Sequence, residues 1–81
     1  MGGHKEFDKK WELAKGHFED ENFDLALMLF KNLSTENIEN QYEEYANYYT
    51  ALCLFKQNNL RESRQYLLQL YNKYPLWSNN N

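Results

Sequence analysis

Phe23-Asp24-Leu25-Ala26-Leu27-Met28-Leu29-Phe30-Lys31-Asn32-Leu33 and Leu60-Arg61-Glu62-Ser63-Arg64-Gln65-Tyr66-Leu67-Leu68-Gln69-Leu70 follow one grammar. Each opens on a bulky apolar residue (Phe23, Leu60) and places a small residue three positions on (Ala26, Ser63). A large apolar residue comes four beyond that (Phe30, Leu67), and another apolar residue three further (Leu33, Leu70). An alanine in a helix-like stretch precedes each opening residue by nine positions (Ala14, Ala51). Such self-similarity marks a stacked helical repeat, in which each unit buries its apolar face only against a neighbour. Repeats of this kind build extended surfaces, which points to binding rather than chemistry.

Eighty-one residues make one small domain, and a chain of this size buries only about 60–65% of the surface its unfolded form exposes. The composition, 42% hydrophobic and 17% aromatic, is too apolar for a disordered segment. With one proline and three glycines, two of them Gly2 and Gly3, the middle of the chain is almost free of helix breakers. A net charge of −3 with interspersed signs gives none of the basic stripe that nucleic acid requires. No apolar run reaches the length of a membrane span, so direct membrane insertion is not expected. Residues 1–4 read as an appended, disordered start, and with no targeting signal in view both a cytoplasmic and a periplasmic location stay open.

The chain divides into four helical stretches. From about Lys5 to Asp20, Phe7, Trp11, Ala14 and Phe18 recur in steps of four, three and four along one face. Glu21-Asn22 is a polar turn, with Asn22 placed to cap a second helix through Phe23, Ala26, Leu27, Phe30 and Leu33. Ser34-Thr35-Glu36-Asn37 ends that helix. A third is expected from near Ile38–Gln41, with Tyr42, Tyr45, Tyr48, Tyr49, Leu52 and Phe55 on one face and Ala51 and Leu54 turned to another. Apolarity that broad implies contact on more than one side. After Gln57-Asn58-Asn59, the pair Asn59 and Glu62 predicts a capping box. The fourth helix then runs to Tyr74-Pro75, where proline disfavours continuation. Residues 76–81 form a tail whose one apolar anchor is Trp77. The expectation is an all-α domain over residues 5–75, built from antiparallel hairpins at about 5–34 and 38–74.

Written out in full, the chain resembles the tetratricopeptide repeat family. In the first hairpin the positions that carry the resemblance are Ala14, His17, Phe23, Ala26, Phe30 and Leu33. In the second they are Ala51, Leu54, Leu60, Ser63, Leu67 and Leu70, with the closing Pro75. Small residues let paired helices approach and large ones fill the gaps between turns. The offset from Phe23 to Leu60 is 37 residues, where the family's usual repeat is about 34; the Ser34–Tyr42 connection can absorb the difference. His17 stands where an aromatic is usual, and the first hairpin lacks the terminal proline. The stretch from Tyr49 to Asn59 together with Tyr74-Pro75 looks most like bacterial repeat proteins of the cell-envelope type. The resemblance implies helix–turn–helix hairpins stacked as a short right-handed α-solenoid, repeat-core roles for the positions just named, and a peptide or protein partner held in the concave groove of the first helices.

The family's best understood groove is a carboxylate clamp of lysine and asparagine. Its lysine would fall at Trp11, its asparagine at Lys15 and the next repeat's asparagine at Tyr49, so none matches and a chaperone-tail ligand is excluded. What the groove offers instead is aromatic: Trp11, Lys15, Phe18, Tyr45, Tyr48, Tyr49, Leu52 and Phe55 are the candidate partner-binding residues, with Glu19 and Lys56 at the rim. Rings gathered within charge are the usual composition of a binding hot spot. The competing expectation for each ring is packing between adjacent helices.

His4, His17 and Cys53 complete no metal-ligand spacing, and no cofactor is implied. Glu43-Glu44 and Glu19-Asp20-Glu21 read as solvated charge, since acid–base work would need burial or a facing partner. No phosphate loop or nucleophile elbow is present, so no enzyme is expected. Two repeats are also fewer than the about three that a solenoid normally needs. That count raises self-association, a homodimer by end stacking or hairpin exchange, as the alternative to a foreign partner.

Overall fold

The computed structural model describes residues 5–35 and 42–74. These form four α-helices and, among the described residues, no strand: α1 (Lys5–Glu19), α2 (Phe23–Thr35), α3 (Glu43–Lys56) and α4 (Leu60–Lys73). Each helix packs against its neighbour in sequence, α1 on α2, α2 on α3 and α3 on α4. Three-residue turns join α1 to α2 and α3 to α4, giving hairpin 1 and hairpin 2. Several expectations lie outside the described residues: the start at 1–4, a third-helix onset at Ile38–Gln41, the closing Pro75, and the 76–81 tail with Trp77.

The two turns are the same turn. After α1, the Glu21 N–H donates to the Phe18 carbonyl (3.0 Å) and the Asn22 N–H to that of His17 (2.8 Å). After α3, Asn58 donates to Phe55 (2.9 Å) and Asn59 to Leu54 (2.8 Å). These paired bonds satisfy carbonyls that the helix end leaves open, in the arrangement known as the Schellman motif. It requires one left-handed residue, which is Glu21 (φ 66°) in the first turn and Asn58 (φ 65°) in the second. Every one of these donors and acceptors is shifted by the 37 positions that separate Phe23 from Leu60. The next bond follows suit: Ala26 N–H to the Asn22 carbonyl (3.0 Å) and Ser63 N–H to that of Asn59 (3.1 Å).

The start of α4 differs from the expected capping box. The Glu62 carboxylate accepts from the Asn59 side-chain amide at 2.8 Å, and Asn59 makes no side-chain cap bond. Its amide and the carboxylate bond each other instead of the backbone N–H groups of the first turn.

The core joins both hairpins. Phe7, Ala14, Ala26, Phe30 and Leu33 of hairpin 1 are buried with Ala46 and Cys53 of α3. Burial of a side chain such as Phe30 or Leu33 stabilises by about 1.5–3 kcal/mol. The fully buried residues of α3 are not its tyrosines. They are Ala46, Thr50, Ala51, Cys53 and Leu54, the small and aliphatic side, which lets α2 and α4 both approach closely. Thr50 is tolerated there because its hydroxyl donates to the Ala46 carbonyl at 2.7 Å. Across the α3–α4 contact the Ser63 hydroxyl donates to the Ala51 carbonyl at 2.8 Å, so serine at the small-residue position still permits close packing.

The expected repeat core divides by helix. Ala14, Ala26, Phe30, Leu33, Ala51, Leu54, Ser63 and Leu70 are buried, while His17, Phe23 and Leu67 are half-buried. Leu60 departs from the expectation: it is 53% exposed, because it opens the last described helix and no described element lies over it.

Polar links tie the layers at their rims. The Tyr42 hydroxyl bonds Asp8, the Gln57 amide bonds Asp24, and Lys73 pairs with Glu43. Lys10 Nζ donates to Asn32 Oδ1 at 3.1 Å.

Candidate binding surface

Seven of the eight candidate groove residues fall into two groups, and the eighth, Lys15, stands at their rim. Trp11, Phe18 and Tyr49 are half-buried and packed against the core. Trp11 stacks on Tyr42 (centroids 4.8 Å apart, planes at 12°) and meets Tyr49 edge-on at 5.7 Å. Phe18 meets Tyr49 edge-on at 5.3 Å and Phe23 at 5.5 Å. Tyr49 in turn stacks on Phe30 at 5.0 Å. Offset and edge-on pairs each add about 0.5–1.5 kcal/mol beyond the area they bury. These rings therefore work as a seam between α1, α2 and α3.

The second group points outward from α3. Tyr45 is 52% and Phe55 58% exposed, with Tyr48 and Leu52 half-buried between them along the same helical stripe. Tyr48 meets Tyr49 edge-on at 5.9 Å, which joins the stripe to the internal seam. Lys15 lies over the Trp11 ring, its Nζ 5.9 Å from the centroid, a cation–π contact that sets a charge at the rim. Lys56 is exposed at the far end of the stripe. The surface is thus an aromatic ridge on α3 with lysines at its margins.

A second apolar area lies on α4; the count of two repeats implied an open apolar end, but sequence reasoning did not name its residues. Leu60, Leu68 and Tyr71 are all at least 40% exposed, with Arg61 and Arg64 exposed among them. The available signal was the position of α4 as last of the four helices, which leaves its outer face without a described neighbour.

Two recesses complete the surface. A notch of about 210 Å³ lies where α2, α3 and α4 meet, lined by Ser34, Glu43, Asn47, Gln69, Lys73 and Tyr74 among others. The Glu43 contact holds the Lys73 ammonium above its usual range, and burial raises the Tyr74 hydroxyl. A shallow depression beside the first turn is lined by Glu21, Phe23, Asp24, Leu25 and Gln57. Burial pushes the Cys53 thiol up to about 11, which keeps it protonated and unreactive at neutral pH. Among the described residues no three of His, Cys, Asp and Glu gather to hold a metal ion, and no helix is long and apolar enough to cross a membrane.

No family model, curated protein or solved structure matches this chain.

Proposed function

We propose that the chain is a non-enzymatic protein–protein interaction module of two tetratricopeptide-type repeats, and that it holds a peptide or protein surface along the α3 ridge Tyr45, Tyr48, Leu52 and Phe55. The observation that carries this reading is the exposure of Tyr45 and Phe55, two large rings more than half open to solvent on one stripe of a helix whose opposite side is buried. Rings exposed together and rimmed by lysine have the composition of a binding hot spot. The repeat assignment is supported by the shift of 37 positions, which governs the sequence grammar and the turn hydrogen bonds alike. In each hairpin small residues are buried where the helices meet, Ala14 with Ala26 and Ala51 with Ser63.

The ridge reading is tested with linear peptides selected against the folded protein. Tyr45→Ala combined with Leu52→Ala is expected to weaken the selected peptides more than about tenfold, as loss of a central aromatic anchor does, with helicity by circular dichroism unchanged. Equal affinity for protein and double variant would show that the ridge is not the contact surface.

A further inference from the structure

The 37-residue shift pairs surfaces of hairpin 1 with surfaces of hairpin 2, and among the described residues one such surface is covered in the first case only. On hairpin 1 it consists of Trp11, Phe18 and Phe30, and α3 lies over it, with Tyr42 and Tyr49 against the rings and Ala46 and Cys53 seated in the core. Phe30 at its centre is 0% exposed. On hairpin 2 the same places are held by the half-buried Tyr48 for Trp11, Phe55 for Phe18 and Leu67 for Phe30, with Leu60 beside them in the place of Phe23. Phe55 and Leu60 are more than half exposed, Leu67 is half-buried, and Tyr71 beside them is 40% exposed.

We propose that this end face of hairpin 2 docks an amphipathic helix of a foreign partner, one that presents small and aromatic residues at α3's spacing and carries a carboxylate at its C-terminal end. The spacing follows from the occupant seen on hairpin 1, where Tyr42, Ala46, Tyr49 and Cys53 fall at i, i+4, i+7 and i+11. The carboxylate follows from charge. On hairpin 1, Asp24 in the first turn of α2 accepts a hydrogen bond from the Gln57 amide just past the end of α3. On hairpin 2, Arg61 holds the place of Asp24, Lys56 that of Glu19 and Arg64 that of Leu27, all three exposed. An acceptor site has become a donor site, so the incoming helix must supply an acceptor where α3 has Gln57.

A second copy of this chain fits that description at its carboxylate but not at its apolar seat. To continue the stack, its α1 would stand where α3 stands: Asp20 would take the place of Gln57, but Lys9 would take that of the fully buried Ala46, and Glu12, Leu13 and Gly16 those of Tyr49, Thr50 and Cys53. Charged side chains buried against Leu67 without partners are strongly disfavoured. At these positions the outer side of α1 mixes charge with Leu13 and Gly16, whereas hairpin 2 exposes Phe55 and Leu60.

The end face shares Tyr48 and Phe55 with the α3 ridge and extends from them onto α4 at Leu60, Arg61 and Leu67, so the test separates the two at Tyr45, which only the ridge includes, and at Leu60, which only the end face includes. A fluorescent peptide of residues 42–57 carrying the Gln57→Glu substitution, and its unsubstituted parent, are titrated against the protein by anisotropy at low salt. The substituted peptide is expected to bind roughly two- to fivefold tighter than its parent, the range for one exposed ion pair. Arg61→Asp in the protein should abolish or reverse that preference. Leu60→Asp, at an exposed position that the fold does not need, should weaken both peptides at least about tenfold, as loss of a central apolar contact does, whereas Tyr45→Ala should leave both unchanged. Binding that ignores Leu60→Asp and Arg61→Asp, or no binding by either peptide, overturns the proposal. So does loss of binding with Tyr45→Ala alone, which would put the helix on the ridge. Sedimentation showing that the protein alone dimerises, and that Leu60→Asp dissolves the dimer, would overturn it in favour of a second copy.

Discussion

Hairpin 1 and hairpin 2 share their turn, their left-handed residue and the placement of their small residues, yet they differ in what covers them. Helix α2 lies between α1 and α3, and buries Ala26, Phe30 and Leu33 completely. Helix α4 packs chiefly on α3 among the described elements, and its buried residues are Ser63 and Leu70. Similar sequence grammar thus yields a core helix in one place and a half-open helix in the other. The difference comes from neighbours, not from propensity. It teaches that residues at matched positions of two hairpins carry different energetic weight according to what packs on them.

The sharpest way to break that contrast is to truncate the paired residues Phe30 and Leu67. Phe30→Ala should cost about 3–5 kcal/mol, as large-to-small changes at fully buried aromatic sites do. That is comparable to the whole stability of a domain this size, about 4–12 kcal/mol, so urea denaturation should find the variant close to unfolded. Leu67→Ala should cost about 1 kcal/mol, since much of its side chain is already open to water. Equal losses at the two positions would mean that α4 is as covered as α2.

Cys53 reports the same coverage through pH. Its counterpart in hairpin 1 is Gly16, exposed on α1, whereas Cys53 is buried beneath α2. The folded thiol titrates near 11 against 9.0 when free, so between those values the native state holds a proton that the unfolded state has released. The stability contribution is complete below pH 9 and is lost as pH rises through about 11. Denaturant midpoints followed from about pH 8 to about pH 11 should fall in the wild type and fall less in Cys53→Ala.

The smallest effect concerns the turns. A non-glycine residue in the left-handed region costs about 1–2 kcal/mol, with asparagine the mildest case. Glu21→Gly should therefore raise stability by about 0.5–1 kcal/mol, and Asn58→Gly should change it by only a few tenths. A thermal melt of both variants checks the order. A larger gain at Asn58 would indicate that the two turns are not equivalent.

The helices are legible in the sequence because their boundaries are written in local chemistry. Polar turns at Glu21-Asn22 and Asn58-Asn59 precede bulky openers, and the 37-position shift ties one hairpin to the other. The candidate surface is legible only as a set. Trp11, Phe18 and Tyr49 share the spacing of Tyr45 and Phe55, and a 3.6-residue period specifies a helix face but not the helices beside it. The aromatic face of α3 draws the eye in the sequence, yet the helix buries Ala46, Thr50 and Cys53 most deeply, because small side chains let α2 come close. Register groups Leu60 with Phe23, though Phe23 is half-buried against the Phe18 ring and Leu60 is 53% exposed. Glu62 meets the Asn59 side chain rather than its backbone, a choice between two nearby donors that spacing does not decide.

The central claim, that the lesser burial of α4 relative to α2 comes from coverage, can be tested by supplying a further cover. Joining a second copy of residues 38–74 after residue 74 places another α3 sequence where the stack leaves hairpin 2 open. Hydrogen exchange should then show the amides of α4 around Leu67 and Leu70 rising to the protection of α2 around Phe30 and Leu33, with a higher denaturation midpoint. If α4 exchanges as fast in the extended chain as in the 81-residue protein, the two hairpins differ in something other than their neighbours and the account is contradicted.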